Sequence, residues 1–331
     1  MITRRSLLLR AASAALASTL PIRGALAQPG IPPKGQLLFG YPPGAVGSLL
    51  GVGLTKVLAG VSGVDYALVN IEGRNTRLAC EQVRNAPADG ATLLHAQSTA
   101  MCLLPNIYRH LGYDPIRDFT PLGVVGEFTF SLTVGPLVPR SVTNLQQYLD
   151  WVKQNPDARD IGFSIYGSQG HLAVLTLAQD LSASVEPLAY KGTAMMIKDI
   201  AAGRLAAGFT AAGNGDAALW ANGILRSIGV TRGARLPYWP NIMTLREQGV
   251  ADMDLSAWYA WYAPAATPAA TVQQWRQTVR AMQASPDFSA LHTRLLLTQP
   301  KVTVEEIPEL ITLETRRFND YVKRLRFRPL D

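Results

Sequence analysis

The chain has 331 residues, 48% hydrophobic and 17% charged, with a formal net charge of +7 at neutral pH. Residues 1–27 hold four arginines (4, 5, 10 and 23) and no acid, so the remainder carries only 7 − 4 = +3. No basic run with interleaved aromatics is left there, which argues against nucleic acid as a partner, and roughly 300 remaining residues exceed what one core usually holds, so two lobes are the default expectation.

Residues 1–27 read as a signal peptide. Arg4 and Arg5 precede an apolar run from Ser6 to Leu20 broken only by Arg10, and Ala25-Leu26-Ala27 supplies a small-residue cleavage site before Gln28. The stretch Thr3-Arg4-Arg5-Ser6-Leu7-Leu8 fits a twin-arginine signal, while Pro21 and Arg23 suit the Sec route equally well. Either way the chain is expected in the periplasm. A membrane anchor fits less well, because Arg10 splits the run, and no later segment is apolar for long enough to span a bilayer.

The apolar Leu37-Leu38-Phe39 stops at Gly40 and gives way to Tyr41-Pro42-Pro43-Gly44-Ala45-Val46-Gly47-Ser48, followed by apolar residues at helical spacing. That pattern predicts a strand, a turn and a helix with Ser48 as N-cap. A helix opening there aims unpaired N–H groups and the positive end of its dipole above the strand, a setting for a carboxylate or phosphate; an ordinary strand-to-helix turn is the plainer alternative. Strands at 66–71 and 91–96 and a helix at 77–85 follow, with Cys80 and Cys102 both expected in helices. The two cysteines either pair in an oxidising compartment or stay small buried residues.

Residues 113–119 read as a connecting loop and 128–135 as a strand that carries the chain into a second lobe. A helix over 141–154 takes Ser141 or Thr143 as its cap. A second round then repeats the first: strands at 161–164 and 185–190, helices at 171–181 and 194–202, and strands at 208–212 and 225–230. A strand over 255–263 returns to the first lobe, and helices at 271–282, 287–297 and 307–325 complete the chain. Alternation of this kind predicts mainly parallel sheets flanked by helices, with the loops at 41–48, 72–76 and 97–100 at one ligand-binding edge.

Chemistry is sparse. Tyr166-Gly167-Ser168-Gln169-Gly170 lacks the glycine two residues before serine that a nucleophile elbow needs, and no acid is placed to orient His171. Donors to an anion, or a helix cap at Ser168, fit better. His171 itself either donates to a ligand or satisfies a core hydrogen bond. His95, His110, His171 and His292 show no metal-ligand spacing, so neither metal nor cofactor is expected. Arg74 is either a solvated loop residue or a fork for a second carboxylate. In Trp258-Tyr259-Ala260-Trp261-Tyr262 one face is core and the other either core or an aromatic wall.

Several stretches together resemble the extracytoplasmic solute receptors of the tripartite tricarboxylate transporter family, also called the Bug family. They are Pro42-Pro43-Gly44, the run from Pro87 to Leu94, Tyr113-Asp114-Pro115 with Asp118-Phe119, His171-Leu172, the run from Tyr190 to Ala194, and the run from Trp258 to Pro264 with Thr267-Pro268. The resemblance covers essentially the whole chain beyond residue 27. It implies an α/β, type II-like, two-lobed periplasmic binding protein that closes like a flytrap on a small organic carboxylate, with residues 28–131 and 251–331 in the first lobe and 132–250 in the second. The implied partners are the membrane permease subunits of a tripartite transporter or, alternatively, a sensor kinase; an exported hydrolase is the weaker reading, and a monomer is expected.

With the first turn, the expected ligand set is Tyr41, Gly44, Ala45, Val46, Gly47 and Ser48, then Arg74, Ser98 and Thr99 on neighbouring loops. From the second lobe come Ser164, Tyr166, Gly167, Ser168 and His171, and Lys191, Gly192 and Thr193 beside them. The family's loops depart here: Ser48 stands where the pattern has aspartate, and Gly73-Arg74-Asn75-Thr76 where it is glycine-rich. Ala100 to Leu104 replaces its Thr-His-Ala-x-Asn. These departures fall on the loops that would touch ligand.

Overall fold

The buried run Leu37, Leu38, Phe39 forms the end of β1 (Lys34–Phe39) in this computed structural model, which describes residues 30–331. The expected signal peptide lies outside the described residues. From β1 the chain winds through α1 (Val46–Ser62), β2 (Asp65–Asn70), α2 (Arg77–Arg84), β3 (Thr92–Gln97) and β4 (Phe119–Phe128). The second half begins with β5 (Phe130–Val134) and α3 (Leu145–Gln154), then β6 (Asp160–Ser164), α4 (Gln169–Asp180), β7 (Glu186–Tyr190) and α5 (Thr193–Ala201). It ends with β8 (Ala207–Ala211), α6 (Ala217–Ala221) and β9 (Arg226–Val230). The chain then returns through β10 (Ala257–Pro264) to α7 (Ala269–Gln283), α8 (Pro286–Leu295) and α9 (Ile307–Arg324).

Two five-stranded sheets result, ordered β2-β1-β3-β10-β4 and β7-β6-β8-β5-β9. Each is built on one winding: β1-α1-β2-α2-β3 gives the order 2-1-3, and β6-α4-β7-α5-β8 gives 7-6-8, both with parallel pairing. The sheets are nevertheless mixed, because β10 runs antiparallel to β3 and β4, and β5 antiparallel to β8 and β9. The chain crosses between sheets at Thr129 and again between Val230 and Ala257. Thr231 ties the two crossings: its Oγ1 accepts from the Phe130 N–H (3.2 Å) and its carbonyl from the Leu255 N–H (2.8 Å).

Local chemistry corrects several expectations. The strand expected over 128–135 is divided at Thr129 between two sheets. The ten-residue β4 starts at the end of the expected loop and continues to Phe128, with Pro121, Gly123 and Gly126 interrupting the apolar pattern that would have revealed it. The cap of α3 is Asn144, not Ser141 or Thr143: its side chain accepts the Gln147 N–H at 3.0 Å, directly before Leu145, the first buried residue of the helix. Cys80 and Cys102 are both buried and free. Cys102 sits in a single π-helical turn, Thr99–Leu103, not in a regular helix.

The helix α9 lies over that turn and places Glu314 beside Trp258, whose indole Nε1–H donates to Glu314 Oε1 at 3.1 Å while Oε2 is buried without a partner. Burial raises this carboxyl to about 7, against the opposing pull of Trp258, Cys102 and Arg317. Between pH 4.5 and 7 the native state therefore keeps a proton that the unfolded chain has released, so stability falls as pH rises through that window and levels off above it. Glu314→Gln keeps the indole partner and removes the titration. We expect it to gain on the wild type by about 3 kcal/mol between about pH 4.5 and pH 8 in urea unfolding; an advantage that does not change with pH would contradict this account.

Candidate functional site

The carboxyl ends of β1, β6 and β7 turn toward one another, and each feeds a helix. After β1, Tyr41 and the two prolines lead to Ala45, an extended N-cap of α1 with no side-chain hydrogen bond to the helix. Ser48 is thus not the cap. It lies in the first turn, where its hydroxyl donates to the Pro42 carbonyl (3.0 Å) and accepts from Asn70 Nδ2 (2.8 Å), fastening the loop to β2. After β6 the chain turns sharply through Ile165 (φ 69°) and Gly167 (φ 73°) to Ser168, which caps α4 by accepting the His171 N–H. After β7, Gly192 (φ 155°) begins α5, again without a side-chain cap. Among the described residues, three helix N-termini therefore face one space between the sheets, two of them with no side chain answering their N–H groups.

That space is a narrow cavity of about 20 Å³, room for about one water. Ala45 and Val46 line it from α1, and Ser164, Ser168 and Thr193 from the second sheet. Its remaining walls are Tyr41, Gln97, Phe128, Phe130, Phe209, Ala211 and Tyr259, so no lining residue is acidic, basic or histidine. The polar groups hold one another in place. Thr193 Oγ1 donates to Ser164 Oγ (3.1 Å) and Ser168 Oγ to the Ser164 carbonyl (2.9 Å).

The aromatic floor is a chain of ring contacts. Tyr41 stacks on Phe39 with centroids 5.0 Å apart, Tyr259 lies between His95 and Phe128 at 5.2 Å from each, and Phe128 meets Phe130 at 5.0 Å. Burial pushes the Tyr41 and Tyr259 phenols well above their ordinary range and holds His95 down at about 4, although Nε2 contacts the Gly47 carbonyl at 3.1 Å. The wall is therefore uncharged at neutral pH. Gly47 is closed to any side chain, since a Cβ there would stand 2.3 Å from Phe39 Cζ and 2.7 Å from Tyr259 Cε1.

Side-chain hydrogen bonds join the two halves beside the cavity. Thr99 Oγ1 donates to Gln169 Oε1 (2.6 Å), Gln169 Nε2 to Ser98 Oγ (3.3 Å) and Asn75 Nδ2 to the Tyr166 carbonyl (2.7 Å). The last comes from a turn in which Arg74, Asn75 and Thr76 all hold positive φ (48°, 55° and 72°), a run that non-glycine residues adopt only under constraint.

Residues 65–325 match the family described as "Tripartite tricarboxylate transporter family receptor". The chain belongs to this receptor family. It is similar to a UPF0065 protein of Bordetella pertussis, with 25% identity over 281 residues, 85% of this chain and 83% of the relative. Among solved structures it resembles R. palustris Rpa4515 with adipate at a TM-score of 0.83 and 25% identity, covering 90% of this chain and 98% of that one. MatC from Rhodopseudomonas palustris with bound malate shares the fold at a TM-score of 0.78 and 21% identity, covering 87% and 98%.

In the receptor, the cavity brings together Tyr41, Ala45, Val46, Ser164, Ser168 and Thr193 from the set expected on sequence. Ser98 and Thr99 instead latch the lobes, Gly47 packs beneath the floor, and Gly192 touches Pro42. Gly44 lies toward α5 on the outer side, Lys191 is exposed, and Arg74 is paired with Glu81 at 2.5 Å, away from the cavity. Tyr166, about half exposed, and Gly167 shape the turn around His171. The sequence reading missed Phe128, Phe130, Phe209 and Ala211 altogether, and placed Gln97 in a loop at the ligand-binding edge without naming it among the ligand set. It left Tyr259 undecided between core and wall, and strand alternation at β10 was the one signal that pointed to it.

His171 is a packed residue of this turn. Its ring lies on Phe163 at 4.2 Å and against Phe327 of the C-terminal segment at 5.4 Å, while Nδ1 accepts the Gly167 N–H at 3.1 Å. Burial lowers the imidazole to about 4. From pH 6.5 down to 4 the unfolded chain takes up a proton that the native ring refuses, so its stabilisation is complete above 6.5 and is lost on acidification. His171→Asn preserves an acceptor for Gly167 without titrating. The wild type's lead over this variant in urea unfolding should shrink between about pH 7.5 and pH 5; a constant lead would show that the imidazole is not held neutral by the fold.

Proposed function

We propose that the receptor is an exported, periplasmic binding protein that captures a small organic carboxylate between its lobes and delivers it to the membrane subunits of a tripartite transporter. The observation that carries this reading is the meeting of three helix N-termini, from α1, α4 and α5, at a cavity with no charged side chain. Each helix start presents about half a positive charge and free N–H donors, enough together to hold one carboxylate without a cation. The adipate of Rpa4515 and the malate of MatC, both carboxylates, support the same class.

Binding rather than turnover fits the hydroxyls present. Ser168 is committed to a main-chain carbonyl and a helix cap, and Ser164 is paired with Thr193. His171 spends Nδ1 on a main-chain N–H, so no base stands ready beside a nucleophile. Closure is then the response to ligand, which stabilises the arrangement in which Ser98, Thr99 and Asn75 reach across.

A thermal-shift screen of the purified chain against mono-, di- and tricarboxylates, their methyl esters and neutral sugars tests the reading. A carboxylate should raise the unfolding midpoint while its ester does not; a response to neutral solutes alone would overturn it. Gly192→Ala, whose Cβ would stand 2.8 Å from Pro42 Cγ, should keep the lobes from meeting. It should weaken the responding carboxylate by about ten-fold or more in calorimetry, with the far-ultraviolet dichroism of the wild type.

A further inference from the structure

The cavity has two unlike ends. At one, Ala45 and Val46 at the start of α1 stand with Ser168 and Thr193 at the starts of α4 and α5 and with Ser164, the last residue of β6. From the first sheet, Gln97, the last residue of β3, lines the cavity beside Tyr259, its partner across the β3–β10 pair. Gln97 is 94% buried, since only 6% of its surface is exposed; its amide makes no side-chain hydrogen bond among the described residues and is not one of their fully enclosed orphan groups, so the exposed part of it opens on the cavity that it lines. Its neighbours Ser98 and Thr99 are fully engaged across the lobes, so the unanswered amide is not a general feature of this turn. A buried amide left unpaired is costly, and one that faces a ligand cavity is satisfied when ligand supplies the partner.

We propose that Gln97 is the specificity-determining residue of the receptor, selecting a monocarboxylate whose far end carries a neutral hydrogen-bonding group on a compact apolar body. This rests on the carboxylate-receptor reading above and narrows it. The body is set by Phe128, Phe130, Phe209 and Tyr259, which leave apolar faces between the two ends. A neutral far end follows from the absence of any lining cation. A second carboxylate would be buried against one amide and aromatic rings, with its charge uncompensated. Arg74, the residue that would otherwise serve it, is held by Glu81 away from the cavity. The amide can donate to a carbonyl and either donate to or accept from a hydroxyl, and an unsubstituted acid leaves it unpaired, the situation in which a polar site discriminates strongly.

Calorimetric titration with matched pairs tests this: benzoate against 3- and 4-hydroxybenzoate, butyrate against 3-hydroxybutyrate, with adipate and malate as dicarboxylates. In the wild type the better hydroxylated member of at least one pair should bind about ten-fold more tightly than its parent acid and more tightly than either dicarboxylate. Gln97→Leu should bring that ratio close to one; Gln97→Met serves the same purpose if the leucine variant does not fold. Tighter binding of adipate or malate, equal binding within both pairs, or a preference that survives in the variants would overturn the role of Gln97 and leave the carboxylate receptor standing. Failure of every carboxylate to bind would overturn both.

Discussion

Backbone N–H groups at a helix start must find an acceptor, and this fold gathers three such starts at one place while withholding the side chains that usually answer them. Ala45 and Gly192 offer no capping oxygen, and Ser168 answers one N–H of α4. Everything around the cavity follows from that arrangement. The strands stop where the helices begin, the turn residues are small, and the walls carry no charge that would compete with an incoming anion. A neutral wall also keeps the site's electrostatics constant with pH, since the two phenols and His95 stay uncharged in their buried places.

The same arrangement explains how polar and apolar parts are divided. Residues from the second sheet supply hydroxyls, fixed by bonds to one another and to the main chain. Residues from the first sheet and from the crossing strands supply rings, locked in a continuous series from Tyr41 through Phe39, Tyr259 and Phe128 to Phe130. Each half is rigid by itself. What joins them beside the cavity is a small set of side-chain bonds and one constrained turn at Arg74, Asn75 and Thr76, which is the part of the molecule with most to gain or lose when the halves separate.

Much of the fold was legible because its strands are short apolar runs closed by turn residues and its helices carry apolar stripes. The helices over 77–84, 269–283 and 307–324 and strands such as 65–70 and 226–230 fall within a few residues of expectation. The β4 strand was not legible, since proline and two glycines obscure its alternation, and a continuous run from Phe128 onward does not announce that it changes sheets at Thr129. Helix caps were misplaced at Ser48 and near residue 141 because serine and threonine are common wherever a chain turns, and only the observed bond distinguishes a cap from a loop tether. Of the site, the turns could be read and the walls could not. Phe130 and Phe209 are ordinary strand residues in sequence, and they become walls only when strands distant in the chain are laid side by side.

The position of Phe128 and Phe130 gives the cavity a mechanical meaning. They flank Thr129, where the chain passes from one sheet to the other, so the cavity wall is built at a crossing between the sheets. On the carboxylate-receptor reading, a ligand resting on these two rings bears on the crossing itself, where a small change of spacing becomes a larger displacement at the far ends of the two halves. A membrane partner would then meet that displacement without touching the ligand.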